Sequence, residues 1–397
     1  MKVCIIGGGA SGMAAALSAA ESGHHVLLLE RQARVGRKLL STGNGRCNLT
    51  NLHASPAHYH GRQPEFCRSA LERFPVRDTL AFFASLGLVT TAEDSGRVYP
   101  YSNMAGSVLD VLRFALEQPN IDLRTAQVVT SVKRRADGFT IRTESDTFTA
   151  DRVILAAGGC AGSKLGGVMD GYQIAKSLGH HRTALYPSLV QIKTDSPYPR
   201  SLKGIKADAQ IRVMRGDTVL AENQGEVLFT EYGISGPAVF EISRAVSTGG
   251  DGLRLVLDFW SDASDTMAWL RQRQAASGNR AGGTLLTGIV HTRLGQMLCK
   301  SAGITNQPAN TLTDAHLNAI WLALRSFTLP VLGVCGFDQA QVTAGGLRTD
   351  EFDPDTLQSR IMPGFYACGE VLDIDGDCGG FNLQWAWSSG RLAGKLN

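Results

Sequence analysis

The 397-residue sequence predicts an α/β fold: a Rossmann-like dinucleotide-binding domain, interrupted by an insertion made of an antiparallel β lobe and a small helical lobe. Three observations carry this. A Gly7-x-Gly9-x-x-Gly12 turn stands between an apolar run and a helical one, and a second apolar run ends in an acid 18 residues after Gly12. Residues 187–338 then lose the α/β pattern, which returns for the last stretch of chain.

Val3-Cys4-Ile5-Ile6 suits a central parallel strand, and Met13-Ala-Ala-Ala-Leu-Ser-Ala-Ala is strong helix sequence, so strand, turn and helix come in the required order. Gly7 permits the tight turn, Gly9 lets backbone approach a pyrophosphate, and Gly12 lets helix and strand pack closely. The amides of Ala10 and Ser11 open the helix toward the phosphates. Val26-Leu-Leu-Leu-Glu30 supplies the second strand, and its carboxylate suits a ribose diol.

Residues 66–90 and 106–118 read as helices, stopped by Gly87 and Pro119. The stretches beginning at Ile121, Gln127 and Gly138 alternate like strands of one small sheet. Arg152-Val-Ile-Leu-Ala-Ala157-Gly158-Gly159 reads as a buried strand running into a glycine turn. A helix opens at Asp170-Gly171, with Asp170 placed to cap it. From Pro187 to Phe259 the helical period disappears, and 187–260 is expected to be mainly β. In 261–338 helices are expected at 264–275, 284–302 and 314–327, with Ser264, Thr284 and Thr313 or Asp314 as caps. The expected domains are therefore 1–186 with 339–397, and 187–338.

The closing segment names the cofactor. Phe365-Tyr-Ala-Cys-Gly369-Glu370-Val-Leu-Asp373 is an apolar strand ending in a carboxylate, and Gly379-Gly380-Phe381-Asn382-Leu383 opens a helix. A nicotinamide dehydrogenase needs neither, whereas FAD needs a carboxylate on its ribityl chain and donors under its flavin ring. The amides of Gly380, Phe381, Asn382 and Leu383 would stabilise charge on reduced flavin. The chain reads as a flavoprotein.

Composition limits the alternatives. Hydrophobic content of 43% with 19% charged residues is that of an ordinary globular protein, and a net charge of +3 without a basic stripe argues against nucleic acid. Eight cysteines without C-x-x-C or metal spacing read as reduced thiols, and no apolar run reaches the roughly 18 residues of a membrane span. A first strand beginning at residue 3 leaves no room for a signal peptide, so a cytoplasmic protein is expected. The histidine pairs His24-His25, His58-x-His60 and His180-His181 stand apart from any ligand cluster, so no metal is expected. Trp385 and Trp387, two apart on the closing helix, are expected to face the flavin domain and the insertion respectively or in reverse.

Three strings carry a family resemblance: Gly36-Arg-Lys-Leu-Leu-Ser-Thr-Gly-Asn-Gly45-Arg46-Cys47-Asn48-Leu-Thr-Asn51, Phe229-Thr-Glu-Tyr-Gly-Ile-Ser-Gly-Pro-Ala238, and Gly369 through Gly390. On them the chain resembles the FAD-binding oxidoreductases that include aminoacetone-oxidase-like and bile-acid dehydro-4,6-reductase-like proteins. The resemblance implies non-covalent FAD, with Arg31, Lys38, Thr42, Gly43, Asn44, Gly45, Arg46, Cys47 and Asn48 wrapping pyrophosphate and flavin edge. Val129 would reach adenine through its backbone, and Ala157, Gly158, Gly159 and Asp373 complete the contacts.

Two function classes follow. The first is an oxidoreductase acting on a small organic substrate under the insertion lobe, with the Phe229–Ala238 string nearest to it. Within that class a reductase of an unsaturated carbonyl, fed by transient NAD(P)H, comes first, and an amine oxidase using oxygen second. The other class is a non-enzymatic flavin-binding redox sensor or interaction module. Tyr232 and Glu231 are the candidate proton-handling groups, and Cys47 the candidate nucleophile or redox partner. With no evident attachment residue, acid precipitation is expected to release a yellow supernatant containing one FAD per chain; a yellow pellet, or FMN in its place, would refute that.

Overall fold

The computed structural model describes residues 1–195, 197–261 and 265–396. They form two compact units, Met1–Pro187 with Ala340–Asn397, and Ser188–Gln339. In the first unit a five-stranded parallel sheet runs in the order Phe365–Ala367, Arg152–Leu155, Lys2–Ile6, His25–Leu29, Ile121–Arg124. Its central members are near-continuous apolar runs because both faces are covered; Val3, Cys4 and Ile5 are fully buried. Val3 sits in register with Val26 on one side and Arg152 on the other. This order places the Gly7 turn, Glu30 and Gly369 at the carboxyl end of one sheet, where α/β folds bind ligands.

The opening helix, Ala10–Glu21, is buried along nearly its whole length from Ser11 to Ala20. Small residues allow this. It lies between the sheet and the closing helix, Phe381–Ala393, which approaches backbone to backbone. A Cβ at Gly390 would overlap Ser11 O, and one at Gly394 would stand 2.5 Å from Ala15 O. Ser18 Oγ donates to Arg391 O at 2.7 Å along the same seam. Both indoles of the closing helix are buried: Trp385 donates to Gly369 O at 3.1 Å and Trp387 to Leu49 O at 2.9 Å. Neither tryptophan is thus left to face the insertion, because each N–H finds its acceptor inside the flavin unit.

Several expectations are corrected in this unit. Ile121–Arg124 joins the main sheet, parallel to His25–Leu29, and only Val129–Arg135, Gly138–Thr143 and Thr147–Ala150 make the small antiparallel sheet. The expected helix over 66–90 is broken into Arg68–Arg73 and Val76–Ser85, because Pro75 cannot continue a helix but can precede one. Asp170 is the first residue of its helix rather than the cap, and its carboxylate pairs with Arg31 at 2.8 Å.

The second unit is built on a closed antiparallel barrel ordered Ile192–Thr194, Gly233–Ser235, Thr218–Phe229, Lys206–Arg215, Leu253–Asp258, Phe327–Val334. The expected split into a β half and a helical half does not hold in detail. Helix Pro237–Gly249 falls in the first half, started by Gly236 and a proline at its first position, with Val239, Ile242 and Val246 buried. Strand Phe327–Val334 falls in the second and pairs with Leu253–Asp258, so chain beyond the last helix completes the barrel. The expected helix 284–302 begins only at Thr292, since Gly288 adopts φ +96; Thr284 lies in a short turn and His291 caps. Asp265 caps Thr266–Ser277, while Ser264 lies outside the described residues, and Thr313 caps Asp314–Arg325. Barrel and helices share one apolar core around Phe229, Leu257, Leu294, Leu298 and Ile320. Among the described residues no helix is long and apolar enough to cross a membrane.

The helix seam gives a first test. Gly390→Ala should destabilise the protein by about 1–3 kcal/mol, since backbone must move. Gly106→Ala, where a Cβ meets nothing within 4 Å, should change stability by less than about 1 kcal/mol, upward. Equal melting temperatures for the two variants in thermal unfolding would contradict the close approach.

Candidate cofactor site

The glycines of the opening turn differ in what surrounds them. Gly7 holds φ +107 against Ala156 O, and a Cβ on Gly12 would overlap Gly7 O, so both are steric requirements of the turn. Gly9 instead faces open space, with nothing within 4 Å of a Cβ. No side chain caps the helix there, so the amides of Ala10, Ser11 and Gly12 point into that space without an intrahelical acceptor. At its edge stands Glu30, 8% exposed, its two oxygens taking Gly8 N and Gln32 N at 2.7 Å each. Two backbone donors fix the carboxylate and leave lone pairs for a ribose hydroxyl.

The loop after the second strand supplies a second set of amides. Gly43, Asn44, Gly45 and Cys47 all adopt left-handed φ between 56 and 84; the Arg46 and Cys47 amides donate to Gly43 O and Thr42 O, so the donors this loop can offer are those of Gly43, Asn44 and Gly45. Gly45 and Gly158 again open onto empty space. Gly159 does not: its Cα packs on Thr343 and Glu370. Val129 opens its strand paired with Thr143, and the bulge that follows leaves Thr130, not Val129, out of the ladder.

The two ends of the chain meet here. Gly369 packs on Ser11, Lys38 Nζ lies 2.7 Å from Glu370 Oε2, and Glu370 Oε1 accepts Thr343 N at 2.8 Å. Gly380, at φ +103, rests on Thr50 O, and a Cβ there would be 2.9 Å from Asn48 Oδ1. Asn51 Nδ2 donates to Gly379 O at 2.9 Å. Phe381, Asn382 and Leu383 form the uncapped first turn of the closing helix. The Asn382 side chain is occupied with Gly376 and Asp377, and the Asp373 carboxylate accepts Arg62 N at 3.1 Å.

The cationic side chains are already engaged. Arg31 pairs with Asp170; Arg46 pairs with Glu93 at 3.1 Å and lies 4.0 Å over the Tyr99 ring. Lys38 is engaged in the same way by Glu370, so all three cations reach an anion only alongside a carboxylate, and the backbone amides are the donors without one.

Two features escaped the sequence reading. Tyr172 is 3% exposed, and its hydroxyl has no hydrogen-bond partner, like Asn48 Oδ1. Burial, with the Glu370 carboxylate nearby, pushes the Tyr172 phenol well above its ordinary value, so it is a donor. A buried donor and a buried acceptor without partners cost free energy unless a ligand completes them. The second feature is a pair of imidazoles on one carboxylate: His58 Nδ1 lies 2.9 Å and His60 Nε2 2.7 Å from the two Asp377 oxygens. Their spacing of two, which puts both on one side of an extended chain, was the available signal; the acid lies more than 300 residues away.

Three side chains were expected to carry chemistry. Cys47 is fully buried, and its thiol is pushed up to about 12 by burial, against a hydrogen bond with Thr42. It stays protonated and is not a thiolate nucleophile. Glu231 bonds Lys203 at 2.8 Å, which holds its carboxyl below the ordinary value. An exposed, ionised acid has no proton to give at neutral pH. Tyr232 is 40% exposed, and burial raises its phenol, with Cys335 adding. It retains its proton.

Open glycines facing two uncapped helix N-termini, a fixed Glu30 and a Lys38–Glu370 pair fit FAD: amides for pyrophosphate, Glu30 for ribose, Glu370 for the ribityl chain, and the closing helix for the ring. The fold and this site define an FAD-dependent oxidoreductase. The match to the HI0933-like protein Rossmann domain runs over residues 1–396, and the chain belongs to that family. It is 42% identical to the 3-dehydro-bile acid delta(4,6)-reductase of Clostridium scindens, over 99% of this chain and 98% of that one. It is 32% identical to the ribosomal RNA dihydrouridine synthase of Escherichia coli, over 97% and 95%. In fold it is similar to a 3-ketosteroid delta1-dehydrogenase from Sterolibacterium denitrificans, with a TM-score of 0.51, 14% identity, and 99% and 98% coverage.

Gly9→Val should give folded, largely colourless protein, because its side chain enters the open space without touching protein. Tyr172→Phe should keep its fold and weaken FAD binding roughly 3- to 10-fold, the worth of one neutral hydrogen bond. Flavin content by absorbance and FAD titration of apoprotein check both; wild-type affinity in either variant would misplace the site.

Proposed function

We propose that the protein reduces a carbon–carbon double bond conjugated to a carbonyl group, with NAD(P)H as hydride source. The observation that carries this reading is a chemistry common to the two curated relatives. A 3-dehydro-bile acid unsaturated at positions 4 and 6 and the uracil ring that becomes dihydrouridine differ in size and polarity. In both, the bond reduced is conjugated to a carbonyl. Hydride addition at the far carbon leaves an enolate, and one proton on the near carbon completes the reduction.

Bound FAD supplies hydride transfer at its N5. The chain's own residues bind and orient it: amides of the opening helix and the Gly43–Gly45 loop, Lys38, Glu30 and Glu370. Of the three side chains expected to handle chemistry, Glu231 is ionised and the Cys47 thiol is fully buried, which leaves the exposed, protonated Tyr232 as the candidate to give a proton to an enolate. The single dinucleotide fingerprint leaves NAD(P)H to bind transiently. A 3-oxo steroid is the first substrate to test, since the bile-acid enzyme is the more similar relative. The small net charge argued against nucleic acid; the dihydrouridine synthase makes uridine in RNA the alternative.

Anaerobic NADH or NADPH should bleach the flavin's visible absorbance, and a 3-oxo-4,6-diene should restore it mole for mole, with ribosomal RNA run in parallel. Tyr232→Phe should bleach normally and recover colour at least about tenfold more slowly. A flavin that neither nicotinamide bleaches, or that amines bleach and only oxygen restores, would overturn the proposal.

A further inference from the structure

The Asp377 carboxylate accepts from His58 and His60 and sits in the turn that starts the closing helix. Several contacts make this turn stiff. The His58 ring stacks on Phe381 at 4.4 Å and 21°, Tyr59 donates its hydroxyl to Phe381 O at 2.9 Å, and Asn382 Nδ2 donates to Asp377 O at 3.2 Å. Behind it, Tyr59–His60 pairs with Asp375–Gly376, with His60 opposite Asp375. A change of charge on these three side chains therefore lies against the first turn of the closing helix.

One N–H from each neutral imidazole already satisfies both carboxylate oxygens. The cluster then carries one negative charge. A further proton on either imidazole cancels that charge. Burial pushes the Asp377 carboxyl up, but the hydrogen bonds from His60 and His58 outweigh it and keep it ionised. The Asp377 carboxylate therefore stays charged, and the groups beside it that can accept a proton are the imidazole nitrogens.

We infer that His58, Asp377 and His60 form a proton-accepting cluster coupled to reduction of the bound flavin. The inference rests on the reading that the first turn of the closing helix faces the ring. Two electrons and one proton pass as hydride from NAD(P)H to the flavin, which gains a negative charge. One proton passes from solvent to an imidazole of the cluster, and returns to solvent when the flavin gives its hydride away. The other titratable or charged groups packed around the cluster and its turn are Tyr59, Asp375, the thiols of Cys67 and Cys378, and Arg97, whose guanidinium lies against Gly379. Asp373, the backbone of Arg62 and Glu65 lie beyond them. These three side chains are positioning residues: they act on the flavin through the turn.

The test is the midpoint potential of the FAD-loaded protein measured from about pH 6 to pH 8. Asp377→Asn removes the charge, and the double variant His58→Gln/His60→Gln keeps two donors to the carboxylate while removing both imidazoles. Wild type should take up about one more proton per two electrons than either variant, visible as a steeper fall of potential with pH, while all three hold equal FAD. Equal slopes with FAD retained would overturn the inference. Loss of FAD from both variants would also overturn it, making the cluster a brace for the cofactor cradle. A slope difference in a protein whose flavin no conjugated carbonyl reoxidises would leave the inference standing and sink only the proposed substrate class.

Discussion

Everything in the flavin unit depends on one close approach, that of the opening and closing helices. Gly390 and Gly394 remove the side chains that would hold the helices apart, and Ser11 O and Ala15 O occupy the room. The approach fixes where the closing helix begins. From there, Gly369 is brought onto Ser11, Glu370 onto Lys38, and Gly380 onto Asn48 and Thr50. A segment beginning more than 350 residues after Gly12 becomes part of the same cradle, which is why the site cannot form from the Rossmann half alone.

The donors that the cradle offers to an anion are mainly backbone amides. Arginines are the usual side chains for phosphate, yet Arg31 and Arg46 are paired with Asp170 and Glu93. Donors that belong to backbone lose no rotamer freedom on binding and need no counter-charge when the site is empty of ligand. They demand in exchange left-handed residues and open glycines, which is what Gly43 to Cys47 and Gly9, Gly45 and Gly158 provide. The same economy appears at Glu30, held by two amides instead of a cation.

What was legible in the sequence was local. Apolar runs and the glycine turn read correctly because strand, turn and helix are neighbours in the chain and each is dictated by nearby residues. The parallel sheet and the antiparallel insertion followed from the same periodicities. Helix Pro237–Gly249 was hidden because Gly236-Pro237 reads equally as a tight turn and as a helix start. Strand Phe327–Val334 was hidden by Pro330 and by the helical stretch before it. The cluster of His58, His60 and Asp377, and the unpartnered Tyr172 hydroxyl, depend on pairings far apart in sequence. No local signal reports such pairings.

The central claim is that both ends of the chain bind one FAD. A crystal structure of the FAD complex tests it most directly. The account predicts the pyrophosphate against the amides of Gly9 to Gly12, the ribityl chain beside Glu370 and the flavin ring at the first turn of Phe381–Ala393, with Tyr172 Oη and Asn48 Oδ1 each gaining a partner. A cofactor that touches the opening turn but leaves Glu370 and the Gly379–Leu383 segment without contact would contradict it.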